Sequence, residues 1–169
     1  MSQFERRYER SGVVNASPQQ IFEFADDPGN FSAHMNKRSW MMMGSKMYTI
    51  VDEREFKQVG SHMQMIGNIV GIKLYLDEVV TQRNLNEGKK WETTQEREKL
   101  KLVVVGDYAM AFRIEPIAEG SNFTVSIDYN LPQNPFNRAL GYIMADPYAH
   151  WCVNLMLDGV QKHFGKPLK

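Results

Sequence analysis

From Trp40 to Pro132 apolar side chains recur at every second position, and clusters of turn-forming residues break the runs. Period-two patterning with β-branched and aromatic residues predicts six strands, over about 40–53, 59–70, 72–84, 90–98, 104–116 and 122–131. Turns at Asn84–Gly88 and Ala118–Asn122 are short, so the strands they join run antiparallel. Two strands define a buried face. Tyr108, Met110, Phe112 and Ile114 alternate with Asp107, Ala109, Ala111 and Arg113, and Phe123, Val125, Ile127 and Tyr129 alternate with polar partners.

Helical patterning flanks this block. Residues 4–16 carry Phe4, Tyr8, Val13 and Val14 among charges, predicting an edge strand with an irregularity at Gly12. Ser17, Pro18 and Gln20 then form a capping box with proline at the first helical position, so a helix carrying Ile21, Phe22 and Ala25 begins there. Asp27-Pro28-Gly29 stops it, ahead of a second helical turn around Phe31–Met35. Beyond Leu131-Pro132, residues Phe136, Leu140, Ile143, Met144, Trp151, Leu155, Met156 and Val160 form an apolar helical stripe reaching about Phe164. Asp146-Pro147 either kinks that helix or starts a new segment.

A chain of 169 residues predicts a single domain spanning 1–169. Lys plus Arg and Asp plus Glu both number 20, so no electrostatic excess exists to hold nucleic acid or an anionic bilayer. The composition, 43% hydrophobic and 24% charged, is globular, and no run approaches the roughly 18 apolar residues of a transmembrane segment. The N-terminal MSQFERRYERSG lacks the apolar stretch of a secretory signal, and one cysteine allows no internal disulfide, so a cytoplasmic location is expected. Methionine is abundant, at 11, a flexible side chain suited both to irregular cores and to permissive ligand surfaces.

Candidate chemistry is sparse. Gly67 and Gly71 bracket Asn68-Ile69-Val70 without a following Gly-Lys-Ser or Gly-Lys-Thr, which marks a tight strand connection and no phosphate loop. There is no Gly-x-Ser-x-Gly elbow, and Cys152 lies in the helical stripe as a small buried side chain. His34, His62, His150 and His163 have neither His-x-x-x-His spacing nor a cysteine pair, so no metal site and no cofactor are expected. Glu78 is the leading candidate for a catalytic acid or base. If Leu74, Leu76 and Val80 face inward, period two carries Glu78 with them, and burial raises its pKa toward neutrality. In the opposite phase Tyr75, Val79 and Asp77 point inward and Glu78 is solvated. His150, beside Trp151 at the helix edge, is the weaker catalytic candidate.

Val14-Asn15-Ala16-Ser17-Pro18 leading into Ile21-Phe22, Gly106-Asp107-Tyr108-Ala109-Met110, and Ile127-Asp128-Tyr129 before Leu131-Pro132 resemble the START-like, or pollen-allergen-like (SRPBCC), superfamily, in particular its polyketide cyclase, dehydratase and lipid transport group. The resemblance implies an α+β helix-grip fold, a curved antiparallel sheet of about seven strands wrapped around a long C-terminal helix, with two short helices after the first strand and a hydrophobic cavity between sheet and helix. With such a cavity, Met63, Met65, Tyr108, Met110, Ile127, Tyr129, Met144, Trp151 and Leu155 become ligand-binding candidates, and Trp91 closes one end. Met41 or Met43 joins them. The leading functional expectation is non-enzymatic binding or transport of a hydrophobic small molecule, such as a lipid, isoprenoid or polyketide-like compound. A cofactor-independent cyclase or dehydratase and a co-chaperone-like protein-binding module are the alternatives.

Overall fold

The structure is a computed structural model, and it describes residues 3–31, 47–69, 72–94 and 104–165. The chain opens with strand β1 (Arg6–Val14), continues through helices α1 (Pro18–Ala25) and α2 (Pro28–Phe31), and then lays down six more strands. These are β2 (Met47–Val51), β3 (His62–Ile69), β4 (Ile72–Asn84), β5 (Gly88–Thr93), β6 (Tyr108–Ile117) and β7 (Gly120–Tyr129), followed by helix α3 (Pro135–Phe164). The strands form one curved antiparallel sheet in the order β1-β7-β6-β5-β4-β3-β2. This is the helix-grip architecture. β1 therefore pairs with the last strand, from Arg6 opposite Tyr129 to Val14 opposite Ser121, and α3 packs on both.

Local chemistry sets the element boundaries. The Ser17 hydroxyl accepts from Gln20 N while Gln20 Oε1 accepts from Ser17 N, closing the capping box that starts α1 and buries Ile21, Phe22 and Ala25. α2 begins earlier than the expected turn, because Asp27 Oδ1 accepts from the backbone of Gly29 and Asn30 and leaves Pro28 at the first helical position. The remainder of that expected turn, through Met35, lies outside the described residues, as do strand residues 40–46 and 95–98, Met41, Met43 and the Val70-Gly71 connection. β2 stops at Val51. The Asp52 carboxylate accepts from the backbone of Arg54 and His62, which folds residues 52–61 into a loop where the alternation predicts strand ends.

Two further expectations are corrected. Gly12 causes no irregularity, since the β1–β7 register runs through it unbroken. Its role is close approach: a Cβ there would lie 2.5 Å from Gln161 Nε2 on α3. On α3, the expected stripe is buried only in part, at Met156 and Val160, with Met144, Trp151 and Leu155 half-buried. Phe136 and Ile143 are 80% and 72% exposed, and the face against the sheet is Gly141, Ala145, Tyr148, Ala149, Cys152, Val153, Met156, Leu157 and Val160. Small side chains let the helix approach closely, with a Cβ on Gly141 falling 2.9 Å from the Val104 carbonyl oxygen. α3 also continues through Pro147 as one helix, so no new segment starts at Asp146. The Asp146 carboxylate instead accepts from Arg6 and from the Tyr129 hydroxyl.

Candidate functional site

Strand β4 turns Leu76, Glu78 and Val80 inward, at 5%, 2% and 1% exposure, and leaves Tyr75, Asp77 and Val79 half-buried on the other face. Glu78 thus sits among apolar side chains. Met63 is its strand partner on β3, and Thr93 is its partner on β5. Thr93 Oγ1 accepts from the Tyr108 backbone N–H at 3.1 Å, which places Tyr108 of β6 in the same row across three strands. The Tyr108 hydroxyl donates to Glu78 Oε1, while Oε2 is buried with no hydrogen-bond partner.

The electrostatics follow from that enclosure. Burial pushes the Glu78 carboxyl up to about 7, against the Tyr108 hydroxyl, the nearby Trp91 indole and the charge of Lys89, all of which favour the anion. Burial likewise holds the Tyr108 and Tyr148 phenols well above their ordinary range. Burial pushes Cys152, hydrogen-bonded with Tyr148 on α3, up to about 12, which keeps its thiol protonated at neutral pH. What the arrangement offers is proton exchange near neutrality, or one polar anchor in an apolar surround.

A second buried network closes the neighbouring end. Lys89 Nζ donates to Asp26 Oδ1 at 3.0 Å and to the Phe56 carbonyl at 2.6 Å, and it lies 4.4 Å from the Phe56 ring centroid. Arg83 joins Asp26 from β4 at 2.8 Å and covers the Phe22 ring. These ties hold the end of α1 against β4, β5 and the 52–61 loop. In that loop Glu55 and Phe56 take left-handed backbone angles, and the Phe56 ring is buried edge-on to Trp91.

Of the ligand-binding candidates, Met63, Met65, Trp91, Tyr108, Met110, Ile127 and Tyr129 are buried in one continuous apolar cluster, and Trp151 packs against it half-buried. Met144 and Leu155 are half-buried on α3. The structure brings Glu78, Met63, Trp91 and Tyr108 together, whereas the Tyr129 hydroxyl is directed to Asp146. His150 is exposed and stacks on Tyr8 with ring centroids 3.8 Å apart. The Leu74 side chain lies outside the described residues. Sequence reasoning missed Lys89, Asp26, Phe56 and Tyr148. Lys89 had a signal, since it precedes Trp91 by two positions on one strand and shares its inward phase.

A groove of about 400 Å³ is lined by Gln3, Phe4, His62, Val79, Glu92, Thr93, Thr94, Asp107 and Tyr108, so it shares Thr93 and Tyr108 with the Glu78 site. There His62 Nδ1 lies 3.3 Å from the Asp77 carboxylate, which also accepts from Thr94 Oγ1. Among the described residues no cluster of three His, Cys, Asp or Glu side chains has the arrangement to hold a metal ion, and no helix is long and apolar enough to cross a membrane.

Sheet order, terminal helix and an acid enclosed between them define a helix-grip protein of SRPBCC type. The chain belongs to the polyketide cyclase / dehydrase and lipid transport family, whose pattern matches residues 5–164. Among solved structures it is similar to the Zhui aromatase/cyclase of Streptomyces sp. R1128 (TM-score 0.67, 11% identity, 94% of this chain and 92% of that one). It is also similar to a Thermus thermophilus protein (TM-score 0.63, 17% identity, 94% of each chain) and to a major latex-like protein of Panax ginseng (TM-score 0.56, 11% identity, 95% and 97%). At these identities the likeness is one of fold. No curated protein matches the sequence.

Proposed function

We propose that the protein binds an apolar small molecule, of lipid, isoprenoid or polyketide-like character, between the sheet and α3, with Glu78 as the polar anchor. The observation that carries this reading is the carboxyl itself: an acid 2% exposed, set among Met63, Trp91 and Tyr108, with one oxygen lacking a partner. Buried polar atoms are satisfied in the great majority of proteins, so an orphan acceptor in an apolar surround marks a place where another molecule completes the bonding. Binding is driven by desolvation, at about 25 cal/mol per Å² of apolar surface removed from water. The family description, which names lipid transport beside cyclase and dehydrase activity, supports the same class of ligand.

The test is extraction of the purified protein with organic solvent and mass identification of what is released, together with titration by the apolar fluorophore Nile red. A co-purifying apolar compound and saturable dye uptake that the compound reverses are expected. No released compound and no saturable uptake would overturn the reading.

One observation favours a second reading, a cofactor-independent cyclase or dehydratase. A carboxyl titrating at about 7 and paired with a phenol is matched to proton transfer at working pH. Under it, incubation with a polyketide-like substrate yields a product of altered mass, and Glu78→Gln abolishes that conversion while retaining the fold.

A further inference from the structure

The bonding capacity of Glu78 restricts what can sit beside it. A protonated carboxyl has one O–H to donate and carbonyl lone pairs to offer. Tyr108 occupies Oε1 and the Trp91 indole also hydrogen-bonds the carboxyl, but Oε2 is buried without a partner in full hydrogen-bond geometry and keeps capacity to meet a ligand. Among the described residues no buried cation is free to receive an anionic ligand. Lys89 is the one buried Lys or Arg among the described residues, and its ammonium protons are committed to Asp26 Oδ1, the Asp26 carbonyl at 3.4 Å and the Phe56 carbonyl. A carboxylate placed against Glu78 would therefore be a second buried acid without a counter-charge, which the low-dielectric interior penalises heavily.

Resting on the ligand-binding reading above, we propose that Glu78, donating from Oε2 as a neutral acid, selects apolar molecules that carry an uncharged carbonyl over those that carry a carboxylate. Groups facing it from every packed element fit this role. From β6 the Tyr108 phenol orients Oε1, and from α3 the Tyr148 phenol and Cys152 thiol are themselves held neutral by burial. From β5 Trp91 and Lys89 favour the anion, while Asp77 on β4 disfavours it. Burial outweighs them and lifts the carboxyl to about 7. Raising the pH through that value removes the donor proton and leaves a carboxylate facing the ligand carbonyl, so carbonyl binding weakens as the competent fraction falls.

Displacement of Nile red by 2-tridecanone and by tridecanoic acid, at pH 6 and pH 8.5, on the wild type and Glu78→Gln, tests the proposal. At pH 6 the ketone is expected to bind about tenfold tighter than the acid, and in the wild type to weaken about thirtyfold at pH 8.5 as the protonated fraction falls. Glu78→Gln, whose amide N–H donates at both pH values, is expected to hold the ketone equally well at both. The proposal is overturned if the acid matches or exceeds the ketone at pH 6, or if the ketone's pH dependence survives in Glu78→Gln. Should that variant fail to fold, the wild-type ketone-against-acid comparison decides. If Nile red itself finds no saturable site, the binding reading falls and selectivity falls with it. If the dye binds but ketone and acid compete equally, selectivity alone is lost.

Discussion

A carboxyl that titrates at about 7 in the folded chain and at 4.5 in its ordinary state holds its proton more tightly when native. Well below pH 4.5 both states are protonated and the titration of Glu78 adds no pH-dependent term. Between 4.5 and 7 the unfolded chain releases the proton while the native chain keeps it, so stability falls with rising pH, and above 7 the loss levels off. The loss is of the order of 3 kcal/mol. Urea unfolding of the wild type and Glu78→Gln at pH 4.5 and pH 8 should therefore show the variant gaining about that much relative to the wild type at the higher pH. An unchanged difference would place Glu78 in water. At this scale the sequence was half legible. Alternation around Leu76 and Val80 set out two phases for Glu78, and the choice between them depended on which face of β4 turns to the apolar interior, a long-range fact absent from the local pattern. Lys89 was missed for a related reason: a lysine is assigned to solvent unless its counter-charge is known, and Asp26 lies 63 positions away in the chain.

Elements met the opposite problem. Their order and type followed from period and capping, because Ser17, Gln20 and the strand alternation act locally, but the buried face of α3 did not. Reading bulk as burial selected Phe136, Leu140 and Ile143, which are exposed, whereas Gly141, Ala145 and Ala149 are buried, and at Gly141 the missing side chain lets the helix approach the Val104 carbonyl and Leu131. The same logic applies at Gly12, whose missing side chain makes room for the Gln161 amide, itself donating to the Val13 carbonyl at 3.0 Å. Gly12→Ala should push that amide off its acceptor and cost about 1 kcal/mol. Gln161→Ala should cost a similar amount alone but less in the Gly12→Ala background, because the shared hydrogen bond can be lost only once. Denaturant midpoints of the two single variants and the double variant give the coupling, and strict additivity would exclude this account of Gly12.

For the whole molecule, the closing contact of the sheet joins its first and last strands. Deleting Arg6–Val14 bares β7 along its length and removes a surface on which α3 packs. An unpaired strand carrying Phe123, Val125 and Ile127 is an aggregation template, so the truncated chain should run as high-mass species in size-exclusion chromatography with light scattering, where a monodisperse profile would argue against this role for β1. The ties across the fold also give a chemical consequence to Cys152, the protein's only cysteine. It is buried on α3, and its thiol is held protonated by the same enclosure as Glu78. A soluble disulfide reagent can reach it only when the helix lifts from the sheet. The rate at which Ellman's reagent colours a native solution thus becomes a clock for the opening of the grip, expected to run about a thousandfold slower than in urea-unfolded protein. Any molecule seated against Glu78 should slow that clock further, so that its arrival is read from the cysteine alone, with no fluorophore attached to the ligand.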